Sequence, residues 1–186
     1  MSTSAIISEA AAHMDKTIKA LSHEFSSVRT GRASGAVLEG IKIDYYGTPT
    51  PIMQIAGIKS PEPQTLIIEP WDKTALKAIE KAIMSSDLGI TPSNDGSVIR
   101  LPFPPLTEER RKDLAKQCKH YSEDAKIGVR NIRRDANGKL ERAQKDSEIS
   151  EDDLRRAETE IQKLTDAHVK EIDEVLKRKE AEIMEV

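Results

Sequence analysis

Aromatic residues are scarce in this sequence, where they make up 3% of 186 residues and include a single tryptophan. So few rings exclude a large aromatic core and favour helices that pack through aliphatic side chains. No apolar stretch approaches 18 residues, so no membrane-spanning helix is predicted. The first residues carry neither a basic start with an apolar segment nor an arginine-rich presequence, and we therefore expect a cytoplasmic protein.

Reactive side chains in a catalytic arrangement are also missing. The one cysteine, Cys118, cannot form an internal disulfide, which is typical of a reducing compartment, and it falls among apolar residues as a small hydrophobe would. No two of the four histidines have the spacing of zinc ligands, and His168 lies on an apolar helix face, as a hydrogen-bonded core histidine does. Phosphate-binding glycine loops and hydrolase motifs do not occur. We expect a protein that works by binding, not an enzyme, without cofactor or metal.

Proline is absent from residues 107–146, and this stretch has a regular apolar pattern. Its apolar residues step by three or four in a near 11-residue repeat: Cys118, Tyr121, Ala125, Val129, Ile132, Ala136, Leu140 and Ala143. That period predicts an almost straight helix, about 60 Å long, with one buried face.

Two further helices are predicted from similar spacing. The first, over residues 3–28, has Ser2, Thr3 or Ser4 as its cap and an apolar stripe of Ile7, Ala11, Met14, Ile18, Leu21, Phe25 and Val28. The last begins at Ser150, which acidic residues follow as at a capped helix start. Its stripe repeats the 11-residue pattern: Ala157, Ile161, Leu164, His168, Ile172, Val175, Lys179 and Ile183.

The middle of the chain is different in kind. Strands are predicted at 41–45, 55–59, 65–69 and 98–101, with a proline turn over 46–51. Asp72 begins a short helix that ends near 87–89. These elements predict a small mixed α/β module.

The first helix needs partners of matching length to bury its stripe, and these are the two C-terminal helices. We therefore predict an α+β protein: an antiparallel three-helix bundle of residues 1–30 and 106–186, with an inserted domain of 31–105. The connections at 29–35 and 101–106 suggest a hinge of restricted travel. Its predicted residues are Gly31, Ser34, Pro102, Pro104 and Pro105. A rigid junction fixed by packing remains the alternative.

Charge is sorted along the chain, although the net charge is only −3. Residues 107–146 hold 12 basic and 8 acidic side chains, whereas residues 150–186 hold 7 and 12. Such sorting indicates partners of defined charge. The alternative is that a basic and an acidic helix lie side by side and neutralise each other.

The basic residues of 107–146 include a line of four, Lys119, Lys126, Arg130 and Arg133, with Arg134 beside it. The guanidinium fork can hold phosphate oxygens in pairs. Because no aromatics are interleaved, structured RNA fits this line better than single strands. Arg29 and Arg32 form a second candidate, which either binds phosphate or locks the hinge.

Several strings in this sequence resemble those of bacterial ribosome recycling factors, in the same order along the chain. They are Val28–Ser34 (VRTGRAS), Tyr45–Pro49 (YYGTP), Glu80–Ile83 (EKAI), Ser86–Gly89 (SDLG), Pro104–Arg111 (PPLTEERR) and Val129–Asn137 (VRNIRRDAN). Departures are small: Gly35 follows the first string, and Asn137 with Gly138 weakens the helix by about 1 kcal/mol.

The resemblance implies an L-shaped pair of domains and a role in taking the ribosome apart after termination. It implies binding to large-subunit rRNA, cooperation with elongation factor G and GTP, splitting into subunits and release from mRNA. Arg130 and Arg133 match arginines that grip rRNA, and Arg29 and Arg32 match arginines at the domain junction, where the resemblance also implies rRNA contact. We expect a monomer. A different class of function, a helical adaptor that recruits a basic protein through its acidic last helix, stays open.

Overall fold

A computed structural model describes residues 2–185. The helices are α1 (Thr3–Ser26), α2 (Leu76–Met84), α3 (Glu108–Lys145) and α4 (Glu151–Met184). The strands are β1 (Lys42–Tyr45), β2 (Thr48–Pro51), β3 (Ala56–Glu62), β4 (Thr65–Pro70), β5 (Ser93–Asn94) and β6 (Ile99–Pro102). By their contacts these elements form two compact units, unit 1 of residues 2–25 and 115–180 and unit 2 of residues 26–114 and 181–185.

Side-chain caps fix where the long helices begin. The Ser2 hydroxyl accepts the Ala5 N–H at 3.2 Å, so Ser2 caps α1. At the start of α4, the Ser150 hydroxyl accepts the Asp153 N–H at 3.0 Å, and the Asp153 carboxylate accepts the Ser150 N–H at 3.4 Å. This reciprocal pair confirms the predicted cap at Ser150. Ser147, at φ 57°, makes the tight turn that reverses the chain between α3 and α4.

Unit 1 is a three-helix bundle built from α1, α3 and α4. α3 runs antiparallel to both neighbours, and the three apolar stripes meet in one core. Buried residues of one part of this core are Ile6, Ala10, Ala136, Leu140, Ala157 and Ile161. The bundle therefore follows the predicted pattern of helix-on-helix packing with few aromatics.

The buried stripe of α1 differs from the predicted one at its N-terminal end. Ile6 and Ala10 are buried, whereas the predicted Ile7 and Ala11 are only half-buried. The predicted steps of four and three average 3.5 residues, the period of a supercoiled helix. The observed stripe of Ile6, Ala10, Met14, Ile18, Leu21 and Phe25 has steps of 4, 4, 4, 3 and 4, so it coincides with the predicted stripe only from Met14 onward.

Two buried hydroxyls join the core stripes of α3 and α4. Ser122 and Thr165 are almost completely buried, and neither belonged to the predicted apolar stripes. The Ser122 hydroxyl donates to the Lys119 carbonyl at 2.7 Å, and the Thr165 hydroxyl donates to the Ile161 carbonyl at 2.8 Å. Because each finds a backbone acceptor in its own helix, burial leaves no unpaired donor.

Unit 2 contains the α/β module. β1 and β2 form an antiparallel pair, and a four-stranded antiparallel sheet has the order β3-β4-β6-β5. α2 packs its Leu76, Ile79 and Ile83 into the core of this unit. Asp72 starts the helical segment as predicted, because its carboxylate accepts the Thr74 N–H at 2.9 Å.

Two strands of unit 2 were not predicted. The proline turn expected over 46–51 is in fact a tight hairpin, whose second strand β2 contains Pro49 and Pro51. Proline is tolerated there because a two-stranded sheet consists of edge strands. β5 has only two residues, Ser93 and Asn94, both polar and exposed, so no alternating pattern marked it.

Several predicted hinge residues are held within unit 2. Pro102 is the last residue of β6 and lies opposite Thr65, and the next residue, Phe103, is buried and donates its N–H to the Gln64 carbonyl at 2.7 Å. Ser34 caps a short 3-10 helix over Gly35–Leu38. A hinge motion at these residues therefore has to leave the Phe103–Gln64 hydrogen bond and the Ser34 cap intact, or else break them. The hinge and the domain boundaries at 30 and 106 stay predictions.

Candidate functional site

Two members of the predicted cationic line on α3, Lys126 and Arg133, contact residues of α4. Lys119 and Arg130 are exposed, and their side chains make no hydrogen bond or ion pair within residues 2–185. Because one face of α3 is buried against α1 and α4, the rotation of α3 about its own axis is fixed. α3 therefore presents these two charges to solvent at a set spacing.

Arg133 is half-buried, and a polar chain from α4 holds it in place. Its Nη1 donates to the Gln162 Oε1 at 3.2 Å, and the Gln162 amide nitrogen donates to Asp166 at 2.8 Å. Because the amide is neutral, the guanidinium is oriented but keeps its full charge. Its other N–H groups can still bind an anion.

Lys126 has a different role from the rest of the predicted line. Its ammonium lies 2.6 Å from the Asp173 carboxylate of α4 and 3.4 Å from Glu123, with only 14% of the side chain exposed. The hydrogen bond to Asp173 raises the pKa of Lys126, so the ammonium is fully charged and fully paired. At this position the two oppositely charged helices do neutralise each other, as the alternative interpretation of the charge pattern supposed.

Arg134 lines a groove between α3 and α1. A cavity of about 290 Å³ opens there, with His13, Lys139 and Arg142 among its lining residues. Lys139 bridges to Glu9 of α1 at 2.8 Å, and this hydrogen bond lowers the pKa of the Glu9 carboxyl. Arg142 was missed as a candidate; it lies eight residues after Arg134, about 80° further round the helix, and lines the same groove.

Arg29 is part of the framework of unit 2. Its guanidinium lies over the Phe103 ring, 5.6 Å from the ring centre, and donates to the Pro104 carbonyl. Burial lowers the pKa of Arg29, and the nearby charge of Arg110 lowers it further. Its Nε is buried and has no partner among the described residues. This residue thus ties the segment after α1 to the segment before α3.

Arg32 is much more accessible than Arg29. Its side chain is 77% exposed and lies 3.5 Å from the Glu185 carboxylate, which is exposed as well. The two residues line a cavity of about 510 Å³ together with Thr30, Gln64 and Arg111. An exposed pair of this kind contributes little to stability and exchanges partners readily.

The remaining reactive groups are structural. Cys118 is fully buried, and burial raises its pKa to about 11, so the thiol stays protonated. One ring nitrogen of His168 contacts the Leu164 carbonyl at 2.6 Å and the other contacts the Asp15 carboxylate at 2.8 Å, which ties α4 to α1. Within residues 2–185 no group of three or more acidic, histidine or cysteine side chains is placed to hold a metal ion. The described helices also include none with the length and apolarity to span a bilayer.

Comparison with known proteins gives a consistent result. The family model described as "Ribosome recycling factor" matches residues 21–184. The ribosome-recycling factor of Geobacillus kaustophilus is 58% identical over 181 residues, which cover 97% of this chain and 98% of the relative. That of Nitratidesulfovibrio vulgaris is 53% identical over 186 residues, the full length of both chains.

Solved structures agree. A solution structure of a ribosome recycling factor has a TM-score of 0.79 at 41% identity, covering 100% of this chain and 99% of that one. Another, at a TM-score of 0.68 and 45% identity with full coverage of both chains, shows the T. thermophilus ribosome recycling factor and E. coli elongation factor G bound to the E. coli post-termination complex. By sequence and by fold, the chain belongs to the ribosome recycling factor family, whose members are translation factors and not enzymes.

Proposed function

We propose that this chain binds the post-termination ribosome in the cytoplasm, through large-subunit rRNA, and acts there as a monomer. With elongation factor G and GTP, it promotes splitting of the ribosome into subunits and release from mRNA. Support comes from the T. thermophilus relative, whose structure pairs it with elongation factor G on a post-termination complex. The observation that carries the proposal is Arg130, which is exposed and has no partner among residues 2–185, beside the oriented Arg133 on the same helix.

The proposed rRNA grip consists of Lys119, Arg130, Arg133 and Arg134. Arg130 and Arg134 are exposed and Arg133 is held by a neutral amide, so none of their charges is cancelled by an ion pair within residues 2–185. Each can contact a phosphate and release counterions from the RNA. Lys126 lies in the same line, but it is paired with Asp173, so we assign it to bracing α3 against α4.

The second proposed contact is Arg32. It is exposed, and an rRNA phosphate can replace its exposed ion-pair partner, Glu185. Arg29 is the framework residue behind it, fixed by the Phe103 ring and the Pro104 carbonyl. We keep the hinge at Gly31, Ser34, Pro102, Pro104 and Pro105 as part of this proposal.

In this mechanism the chain performs no bond chemistry. The rRNA contacts fix unit 1 on the large subunit, and elongation factor G with GTP supplies the work that separates the subunits. A rigid bundle suits this task because it transmits force without bending. The affinity has to come from several phosphate contacts, since the described part of the chain presents no large apolar face on unit 1.

The test is the substitution Arg133→Ala in a light-scattering assay of post-termination ribosomes with elongation factor G and GTP. Loss of a charged phosphate contact should weaken binding to large subunits about tenfold, at roughly 1.4 kcal/mol per tenfold change. Helical circular dichroism should stay as in the parent, because only one hydrogen bond, to Gln162, is lost. Arg156→Ala, at an exposed arginine of α4, is the matched control and should behave as the parent protein.

Unchanged affinity of the Arg133→Ala protein for large subunits would remove this arginine from the grip. If the parent protein causes no drop in scattering with its cognate elongation factor, splitting is not its function. The acidic-helix adaptor is then tested by retention of bound proteins after nuclease treatment, which an RNA-dependent complex does not survive.

A further inference from the structure

We propose that an aromatic platform on unit 2, formed by Tyr45, Tyr46 and Asp72, binds an arginine or lysine side chain of a protein partner. The inference rests on the proposed function, because it assigns a second contact, separate from the α3 grip, to the same ribosomal complex. The partner proposed for the platform is a protein, whereas the partner proposed for the α3 grip is rRNA.

Exposure is the first reason. Tyr46 is 81% exposed and Trp71 is 72% exposed, more than any other large hydrophobic side chain in the described part of the chain. Aromatic residues are only 3% of the sequence, and the single tryptophan is among those left in water. Exposed tyrosine and tryptophan are enriched at the centres of protein interfaces.

Backbone strain at Tyr46 is the second reason. Tyr46 and Gly47 form the two-residue turn between β1 and β2, with φ values of 50° and 83°. Both residues are thus left-handed, which favours asparagine or aspartate followed by glycine. A tyrosine in this position is unfavourable for the hairpin itself. Strain of this kind is retained where the side chain serves a function.

The platform is also ordered before any partner arrives. The hydroxyls of Tyr45 and Tyr46 both donate to the Asp72 Oδ2, at 3.2 and 3.1 Å. The two rings meet edge to face, with centres 4.6 Å apart. Asp72 is itself fixed by the Thr74 N–H and hydroxyl, at 2.9 and 2.6 Å. A surface that is already arranged loses little entropy on binding.

Charge decides which partner fits. Hydrogen bonds from the Thr74 hydroxyl and N–H, and then from Tyr46 and Tyr45, lower the pKa of the Asp72 carboxyl, so it is anionic at neutral pH. An anion beside two tyrosine rings attracts an arginine or lysine head group and repels phosphate. The platform therefore suits a basic protein side chain and disfavours an RNA backbone.

Photocross-linking tests the class of partner. The variant Tyr46→p-benzoylphenylalanine is irradiated on post-termination ribosomes with elongation factor G and a non-hydrolysable GTP analogue, and the adducts are digested with protease or ribonuclease. We expect an adduct with a protein, at a peptide that carries arginine or lysine next to the linked position. An adduct with RNA, or no adduct from ribosomes that demonstrably hold the variant, would overturn the proposal.

Two substitutions test the energetics without loss of the fold. Tyr46→Asn places a residue that favours the left-handed conformation in the turn, so its melting temperature should match or exceed the parent value. Asp72→Asn keeps an oxygen for the Thr74 N–H but removes the charge. Each should slow splitting about tenfold, because Tyr46→Asn removes a ring that a cation can contact and Asp72→Asn removes the anionic partner of that cation. Met84→Gln, at a methionine that is 57% exposed elsewhere in unit 2, is the control and should leave splitting unchanged.

The two proposals fail separately. If Tyr46→Asn and Asp72→Asn split ribosomes as fast as the parent protein, the platform is not a docking site, while the α3 grip stands. If the parent protein does not split ribosomes, the proposed function fails first. Affinity for isolated large subunits, measured for Tyr46→Asn, should stay at the parent value.

Discussion

Arg130 and Lys126 lie only four residues apart on α3, but their side chains differ in exposure and in ion pairing. Both lie on the same side of α3 in sequence pattern, yet Arg130 is exposed and Lys126 is largely buried against α4. The difference depends on where the neighbouring acidic residues of α4 lie. Asp173 is within 2.6 Å of Lys126, whereas Arg130 has no partner among residues 2–185.

Gly138 offers a prediction about stability at the residue scale. It lies inside α3, its φ is not positive, and a methyl group added there would meet nothing within 4 Å. Gly138→Ala should therefore raise the free energy of unfolding by about 1 kcal/mol, the difference in helix propensity. Urea denaturation followed by circular dichroism measures it.

The matched contrast is Gly47, whose φ of 83° places it in the left-handed region. Gly47→Ala also meets no neighbour, but it should lower the free energy of unfolding by about 1–2 kcal/mol, because a side chain is strained in that conformation. If Gly138→Ala also destabilised the protein, space and propensity would not explain its effect.

At the scale of elements, the 11-residue repeats predicted α3 and α4 with their core faces, and alternating steps of four and three predicted α1, because burial of one face imposes a period on the apolar residues. Sequence could not identify Ser122 and Thr165 as core residues, since their burial depends on hydroxyls that bond within the helix. Nor could it separate the bracing Lys126 from the free cations, because the pairing of α3 with α4 sets which charges meet. The platform of Tyr45, Tyr46 and Asp72 was missed for a related reason: it joins residues from a hairpin and a helix cap.

The Lys126–Asp173 bridge predicts how α3 is held to α4. Lys126→Met should lower the free energy of unfolding by about 0.5–1 kcal/mol, a modest figure because Asp173 is 55% exposed. The raised pKa of Lys126 means that the bridge contributes fully below pH 10.5 and is lost as pH rises through the folded-state pKa. The difference between parent and variant should therefore shrink above that pH in urea titrations. A difference that stayed constant to higher pH would show that methylene packing, not charge, is lost.

Lys112→Met is the control at this scale. Lys112 pairs with Glu108 of its own helix at 3.1 Å, not with a residue of α4, and its side chain is 67% exposed. Its removal should change the free energy of unfolding by no more than about 0.5 kcal/mol.

For the whole molecule, the sorted charge predicts a strong salt dependence of ribosome binding despite the net charge of −3. Each phosphate contact should add about −0.7 to −0.9 to the slope of log K against log salt concentration. Arg130→Ala should reduce that slope by about one contact when affinity for large subunits is measured over a salt series. Arg156→Ala should keep the parent slope. An equal reduction of the slope in both variants would indicate that the overall electrostatic field of the protein, and not contacts at defined residues, attracts the ribosome.

The order of the bundle helices along the chain bears on how the protein is made. α1 ends at Ser26, but its apolar face is covered by α3 and α4, which are not complete until about 120 to 160 residues later. At synthesis rates of roughly 5–20 residues per second, that face waits for several seconds or more without an intramolecular partner. The nascent chain therefore exposes the apolar face of the α1 segment through most of its translation. The α/β module is synthesised during this time and has to fold without binding that face.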